Sequence, residues 1–299
     1  MERYNKLSDH LKSRFGCKVY KLSISGNMSC PNRDKKAGKR GCIFCTESGS
    51  GEFCTDGNLP VTEQIERAKK RVEAKTKDGK YIAYFQNFTN TYAPIDYLRK
   101  IFTEAVTHPD IVMLSIATRP DCLGDDVIAL LKELNGIKPV SVELGLQTIH
   151  EKTAEYIRRG YKLPVFEDAV KRLRSAGIET VVHLILGLPE ETKEMMLETT
   201  EYVGKLGVNG VKFHLLYVAK NTDLYDDYLK GKVKTLSLEE YTAILVDCIK
   251  RLPKETVIHR ITGDGAKKDL VAPLWSADKK RVLNFINREF EKINLVQGE

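Results

Sequence analysis

The chain has 299 residues, of which 42% are apolar and 30% charged. That length fits two ordinary domains or one large α/β barrel. No run of about eighteen apolar residues occurs, which excludes a membrane-spanning helix. The polar opening Glu2, Arg3, Tyr4, Asn5, Lys6 lacks the layout of a secretion signal, so a cytoplasmic protein is expected. Forty-eight basic residues against 41 acidic ones leave a formal charge of +7, a surplus that suits RNA or a phosphorylated metabolite without demanding either.

An amphipathic segment from Tyr4 to Phe15 precedes Lys18–Ser25, which alternates polar and apolar residues and reads as a strand. From Gly26 to about Leu59 no period holds and Gly and Pro recur, so a long loop is expected, and loops of that length usually carry function. Helices and strands then alternate. A helix from Thr62 through Val72 leads to the strand Tyr81–Phe85, and a helix near Ile95–Val106 leads to the strand Ile111–Ala117. The helix Asp125–Leu134 precedes the strand Val140–Leu146. The helix Phe166–Ala176, closed by Gly177, precedes the strand Thr180–Leu186, and the helix Met195–Leu206 precedes the strand Gly210–Leu216.

Six strands joined by helix-length connections predict a parallel sheet with crossovers of one hand. An open doubly wound sheet and a closed or partial barrel both satisfy the pattern. In either, functional groups collect at the C-terminal ends of the strands. After Leu216 a helix at Leu238–Leu252, a strand at Thr256–Thr262 and a helix at Asp278–Lys292 form an α/β extension packed on the barrel. The expected division is 1–225 for the barrel, with its loop at 26–59, and 226–299 for the extension.

Seven cysteines stand at 17, 30, 42, 45, 54, 122 and 248. An odd number without a secretion signal points to reduced thiols, hence to metal ligation or burial. Cys30, Cys42 and Cys45 share the long loop just after the first strand. The two-residue gap lets two sulfurs face one centre, and the long gap lets the third fold back. Three thiolates on an iron–sulfur cubane leave one iron open to substrate or cofactor. A zinc knuckle closed by Cys54 and simple burial are the other readings of the spacing. Cys17, Cys122 and Cys248 are isolated and read as structural.

Phe44 before the last cysteine and the run of βα units that follows resemble the radical S-adenosylmethionine (radical SAM) superfamily. More narrowly, Tyr4-Asn-Lys-Leu-Ser8, Phe15-Gly16, Lys18-Val-Tyr20, Cys30-Pro-Asn-Arg-Asp34 and Gly41-Cys-Ile-Phe-Cys45 resemble its bacterial YtqA/YhcC branch, kin to the Elongator catalytic subunit. The resemblance runs from Tyr4 to about Trp275. The long first gap departs from the superfamily's commonest spacing and matches this branch. It implies a partial (β/α)6 barrel of the TIM type, a [4Fe-4S] cluster on Cys30, Cys42 and Cys45, and S-adenosylmethionine as second cofactor.

The resemblance also assigns candidate cofactor contacts. Gln86 and Asn87 stand where the superfamily has its Gly-Gly-Glu element, and supply carbonyl acceptors in place of a carboxylate. Glu143 and Gln147 match the branch's Glu-x-Gly-x-Gln motif. Arg159 offers a guanidinium for the cofactor carboxylate. Gly187 and Leu188 match the adenine-binding element at the end of the fifth strand. From the residues themselves, Glu143 is hard to leave unpaired inside an apolar strand. His183 and His214 read equally as site or core histidines, and Arg119 as a substrate contact.

The reaction implied is reductive cleavage of the sulfonium to a 5′-deoxyadenosyl radical that takes a hydrogen atom from substrate. A low-potential donor such as flavodoxin or ferredoxin supplies the electron, and no side chain has to act as a nucleophile. No Gly-x-Ser-x-Gly elbow, Walker loop or His-Glu-x-x-His helix is present. The branch links the chain to tRNA, at the C5 side chain of the wobble uridine. The basic stretches Lys35-Lys36, Lys39-Arg40, Lys69-Lys70-Arg71, Lys267-Lys268 and Lys279-Lys280-Arg281 are candidate phosphate contacts, and Tyr217, Tyr225, Tyr228 and Trp275 are candidate stacking surfaces. A protein or small-metabolite substrate, and a zinc-stabilised RNA-binding protein, are the alternatives.

Overall fold

The structure, a computed structural model, describes residues 3–34, 41–49, 51, 54–75, 79–263 and 265–299. The chain runs α1 (Leu7–Phe15), β1 (Val19–Ile24), α2 (Val61–Lys70), β2 (Lys80–Phe85), α3 (Ile95–Thr107), β3 (Ile111–Thr118), α4 (Asp125–Asn135) and β4 (Val140–Gln147). It continues through α5 (Glu151–Tyr156), α6 (Leu163–Ser175), β5 (Glu179–Leu186), α7 (Lys193–Lys205), β6 (Gly210–Leu215), β7 (Val218–Ala219) and α8 (Asp223–Leu229). It closes with α9 (Leu238–Arg251), β8 (Val257–Arg260), β9 (Leu270–Ala272) and α10 (Lys279–Lys292).

Strands β1, β2, β3, β4, β5, β6 and β8 form one sheet in that order, every neighbouring pair parallel. The six expected strands are all present. The strand foreseen at Thr256–Thr262 forms as β8 and extends the sheet by pairing with β6. Beyond the expectation lie the short helices α5 and α8 and a two-stranded antiparallel pair, β7 with β9. These are elements of two to seven residues, too short for a hydrophobic period to show.

The sheet is curled into a half-barrel, and its interior contacts show why it must be. Strands β1 and β4 are three places apart, which in a flat sheet separates them by about 14 Å. Yet Lys21 on β1 donates to Glu143 on β4 at 2.6 Å. The outer faces of the strands carry Leu114, Ile116, Val142, Leu144 and Phe213, all buried against the helices. Phe85 and Phe102 meet edge to face at 5.0 Å between β2 and α3; burying one such ring contributes roughly 2–3 kcal/mol.

A second, smaller apolar cluster positions the cysteine loop. Ile43, between two of the cysteines, is buried with Ile157, Leu188, Leu216, Val218 and Leu224. Two backbone bonds fasten it there, Ile43 N–H to the Ile157 carbonyl at 3.2 Å and Leu224 N–H to the Ile43 carbonyl at 2.9 Å. The loop is thus held against the C-terminal ends of the strands. At the opposite end a cavity of about 440 Å³ is lined by Leu7, Leu11, Met113 and Val208, with no cysteine.

Candidate active site

Cys30, Cys42 and Cys45 all line one cavity of about 230 Å³ at the C-terminal end of the sheet. The loop closes on itself through two short turns, Arg33 N–H to the Cys30 carbonyl at 2.7 Å and Cys45 N–H to the Cys42 carbonyl at 3.1 Å. Asn32, almost fully buried, docks it on the barrel. Its amide nitrogen donates to the Arg158 carbonyl at 2.7 Å and the Arg159 carbonyl at 3.2 Å, and lies 3.5 Å from the Cys42 sulfur. Gly160, at φ +86°, makes this approach possible, since a Cβ there would sit 2.3 Å from the Asn32 side-chain oxygen. Burial pushes the Cys42 thiol up, opposed by the charge of Arg119 and the Asn32 hydrogen bond.

The thiol set fits an iron–sulfur cluster better than one metal ion. A tetrahedral zinc would draw its sulfurs to about 3.8 Å from one another. Among the described residues, the group of potential ligands whose atoms all lie within 4.8 Å is Glu66, His108 and Asp110, which contains no cysteine and whose two carboxylates are bonded by Lys69. The three cysteines line one cavity without forming a group that close, which suits terminal ligands on three separate irons of a cubane rather than ligands on one ion. Cys54 does not line that cavity; its sulfur faces the Ile24 carbonyl at 3.8 Å. Cys122 is pushed up to about 12 by burial, with Asp121 adding to it.

Below the thiols, Glu143 is wholly buried and caged by side chains from five other strands. One carboxylate oxygen accepts from Lys21 Nζ at 2.6 Å and Ser115 Oγ at 2.9 Å. The other accepts from Tyr84 OH at 2.9 Å, His183 Nε2 at 2.7 Å and Lys212 Nζ. Burial alone would raise the Glu143 carboxyl, but Lys21 and Lys212 overcome it and hold it well below the usual range. Burial, with Lys212 beside it, lowers His183 to about 4, so its imidazole is neutral at pH 7. The ring of His214 lies 5.1 Å from that of His183.

The remaining assignments divide. Gln86, Gln147 and Arg159 line the cavity with Glu143. Arg159, at 1% exposure, donates to the carbonyls of Tyr161 at 3.0 Å, Thr148 at 2.6 Å and Leu146 at 3.4 Å, and to Glu151 at 3.2 Å. Most of its donors are therefore engaged in holding the 157–162 turn that carries the Asn32 anchor. Arg119, from the end of β3, grips Asp121 with two bonds of 2.9 and 2.8 Å, reaches the Arg159 carbonyl at 2.8 Å and lines the cavity. Asn87, Gly187 and Leu188 do not line it. Asn87 donates to Ser25 Oγ at 2.9 Å, its own oxygen buried without a partner among the described residues, and Leu188 packs in the Ile43 cluster.

Sequence reading missed Asn32, Lys21, Tyr84, Lys212 and Arg260. Lys21 and Lys212 carry the signal that singled out Glu143, a charge inside a buried strand. Of the basic stretches, Lys35-Lys36 and Lys39-Arg40 lie outside the described residues. Lys69 is bonded to Glu66 and Asp110. Tyr225 and Tyr228 pack on the Ile43 cluster, and Trp275 donates to the Leu236 carbonyl at 3.0 Å.

Comparison with known proteins gives the same outline. The family model of the radical SAM superfamily matches residues 37–203, and that of the Radical_SAM C-terminal domain matches 208–292. YtqA of Bacillus subtilis is 44% identical across 100% of this chain and 92% of its own. A tRNA uridine(34) acetyltransferase of Methanocaldococcus jannaschii is 29% identical over 51% of this chain and 28% of its own. The solved structure of Methanocaldococcus infernus Elp3, lacking its N-terminus, superposes with a TM-score of 0.71 at 19% identity, covering 93% of this chain and 64% of that one. No helix among the described residues is long and apolar enough to cross a membrane.

Proposed function

Since this chain belongs to the radical SAM superfamily and is an enzyme that uses a [4Fe-4S] cluster with S-adenosylmethionine, we propose that it modifies the C5 side chain of the wobble uridine of tRNA in the cytoplasm. When bound, the two cofactors supply reductive cleavage of the sulfonium and a 5′-deoxyadenosyl radical that removes hydrogen from the substrate. The chain's own residues do the rest. Cys30, Cys42 and Cys45 would hold the cluster, with Asn32 fixing the loop. Gln86 and Gln147 offer acceptors around the cavity for the cofactor's ammonium, Glu143 would act by holding Lys21, Tyr84, His183 and Lys212 in place beneath it, and Arg159 keeps the 157–162 turn in place. Asn87, Gly187 and Leu188 stay as candidate contacts though they do not line that cavity.

The observation that carries the tRNA reading is a basic groove of about 1,010 Å³ beside the cysteine loop. Lys220, Lys267, Lys268 and Lys279, all exposed, line it together with Thr46 and Ser48 immediately after Cys45, against Glu47 and Asp269. Folding thus brings two of the basic stretches to one edge of the thiol-bearing loop, where a polyanion bound by its phosphates would hang a base over the cavity. Lys280 and Arg281 turn instead into a separate groove with Arg288. The acetyltransferase relative, named for uridine 34 of tRNA, supports the same substrate. A flavodoxin or ferredoxin is the proposed electron donor.

Mass spectrometry of tRNA nucleosides from a strain lacking the gene tests the proposal. A wobble uridine carrying an unprocessed C5 side chain is expected to accumulate. A nucleoside profile identical to that of the parent strain would overturn the substrate assignment and leave the enzyme class standing.

A further inference from the structure

The cavity of about 440 Å³ at the N-terminal end of the strands lies across the Glu143 cage from the thiols and shares no lining residue with theirs. Two of its residues nevertheless reach Glu143. Lys21 bonds it directly, and Ser141 donates to Ser115 Oγ at 3.1 Å, which donates in turn to Glu143. The buried wall is aliphatic, with Leu11, Ile82, Met113 and Val181, and no aromatic ring stands among the described lining residues. The lining carboxylates sit at the rim, Glu179 tied to Arg14 at 2.6 Å and Glu255 exposed.

His259 marks where a ligand belongs. The β6–β8 register steps from Val211 opposite Ile258 to Lys212 opposite Arg260, so His259 is the extra residue of a bulge, a device that re-aims a side chain. Its ring lies over Gly210, where a Cβ would sit 2.6 Å from Nε2, and lines the cavity. Its Nδ1 is buried without a hydrogen-bond partner among the described residues, a costly arrangement for a polar atom. Burial, with the charge of Lys21 adding to it, pushes His259 well below its ordinary range, so the neutral ring can present an N–H on Nδ1. The Lys21 ammonium has three donors, and among the described residues they meet Glu143 and the ring face of Tyr84 at 4.8 Å. An imidazole and an ammonium with donors to spare thus face one aliphatic space.

We propose that this lower cavity binds a short aliphatic monocarboxylate, the carboxylate received by His259 and Lys21 and the chain lying among Leu11, Met113 and Val208. A cation is refused by Lys21, and a nucleobase finds no ring on which to stack. A carboxylate answers both unused donors, and an alkyl chain matches the wall. The occupant touches two of the groups that bond or lead to Glu143 from the side away from the thiols, which makes it an effector of the buried network and not a substrate. The site stands independently of the tRNA reading.

Calorimetry on the cluster-loaded protein tests the site, with hexanoate and hexanol as probes. Hexanoate is expected to bind saturably and about tenfold tighter than hexanol, with an affinity that S-adenosylmethionine leaves unchanged. His259→Phe, which keeps a ring in place, should remove the preference for the acid, and His259→Gln should restore part of it. Val208→Phe, which fills the aliphatic end, should weaken acid and alcohol alike. No saturable binding of hexanoate at millimolar concentration, equal affinity for acid and alcohol, or a preference that survives His259→Phe overturns the site. So does displacement of hexanoate by S-adenosylmethionine, which would put the acid in the thiol-lined cavity; this competition and the pairing of acid with alcohol need no substitution.

Discussion

Cys30, Cys42 and Cys45 stand on a loop fastened by backbone bonds and one buried asparagine, whereas Glu143, a few side chains below, stands mid-strand with partners from five other strands. The thiols at the mouth are neighbours in sequence, their loop merely docked on distant backbone at Ile157, Arg158 and Leu224; the floor exists only once the sheet has curled. A loop can present three thiols to an inorganic cluster at little cost to the fold. A caged carboxylate is part of the fold, since neither it nor its cations can be left alone in the barrel.

The contrast predicts its own largest effect. Glu143→Ala strands Lys21 and Lys212 without a counter-charge, so chemical denaturation should show a loss of about 3–5 kcal/mol. Cys45→Ala in the cluster-free protein should cost under about 1 kcal/mol. Equal losses would mean that floor and mouth are alike structural.

Acid provides the next test. His183 is lowered from 6.5 to about 4 by burial and Lys212. A base with a depressed pKa binds more protons unfolded than folded, so its stabilising share is complete above pH 6.5 and lost as pH falls toward 4. That displacement is worth on the order of 3 kcal/mol. Stability of the cluster-free protein should decline across this window, and the decline should flatten in His183→Gln. An unchanged slope would remove His183 from the buried network.

At the mouth the smallest change should act on the anchor alone. Gly160→Ala puts a Cβ against the Asn32 amide at a positive φ, at a cost of about 1–2 kcal/mol. Reconstituted protein should then hold its cluster less firmly, seen as faster bleaching by a chelator. Bleaching at the parent rate would show that Asn32 does not position the loop.

The same contrast explains what could be read in the sequence. The thiol triad and the βα alternation were legible because spacing and period are local properties. Glu143 was legible as an oddity, a carboxylate between Val142 and Leu144, but its partners were not: Lys21 lies 122 residues away, and only curling brings it to 2.6 Å. Arg159 was legible as a guanidinium near the site, while its engagement with the carbonyls of Leu146, Thr148 and Tyr161 depends on a turn that no periodicity marks. Gly187 and Leu188 were proposed by motif alone, and neither lines the cavity.

Cys30, Cys42 and Cys45 would hold the cluster that, with S-adenosylmethionine, supplies the proposed radical chemistry. Alanine is placed singly at Cys30, Cys42 and Cys45, each variant is reconstituted anaerobically, and iron content and 5′-deoxyadenosine released under reduction are measured. Each substitution is expected to abolish release and strip most of the iron, whereas iron and release at the parent level in any one of the three would contradict it.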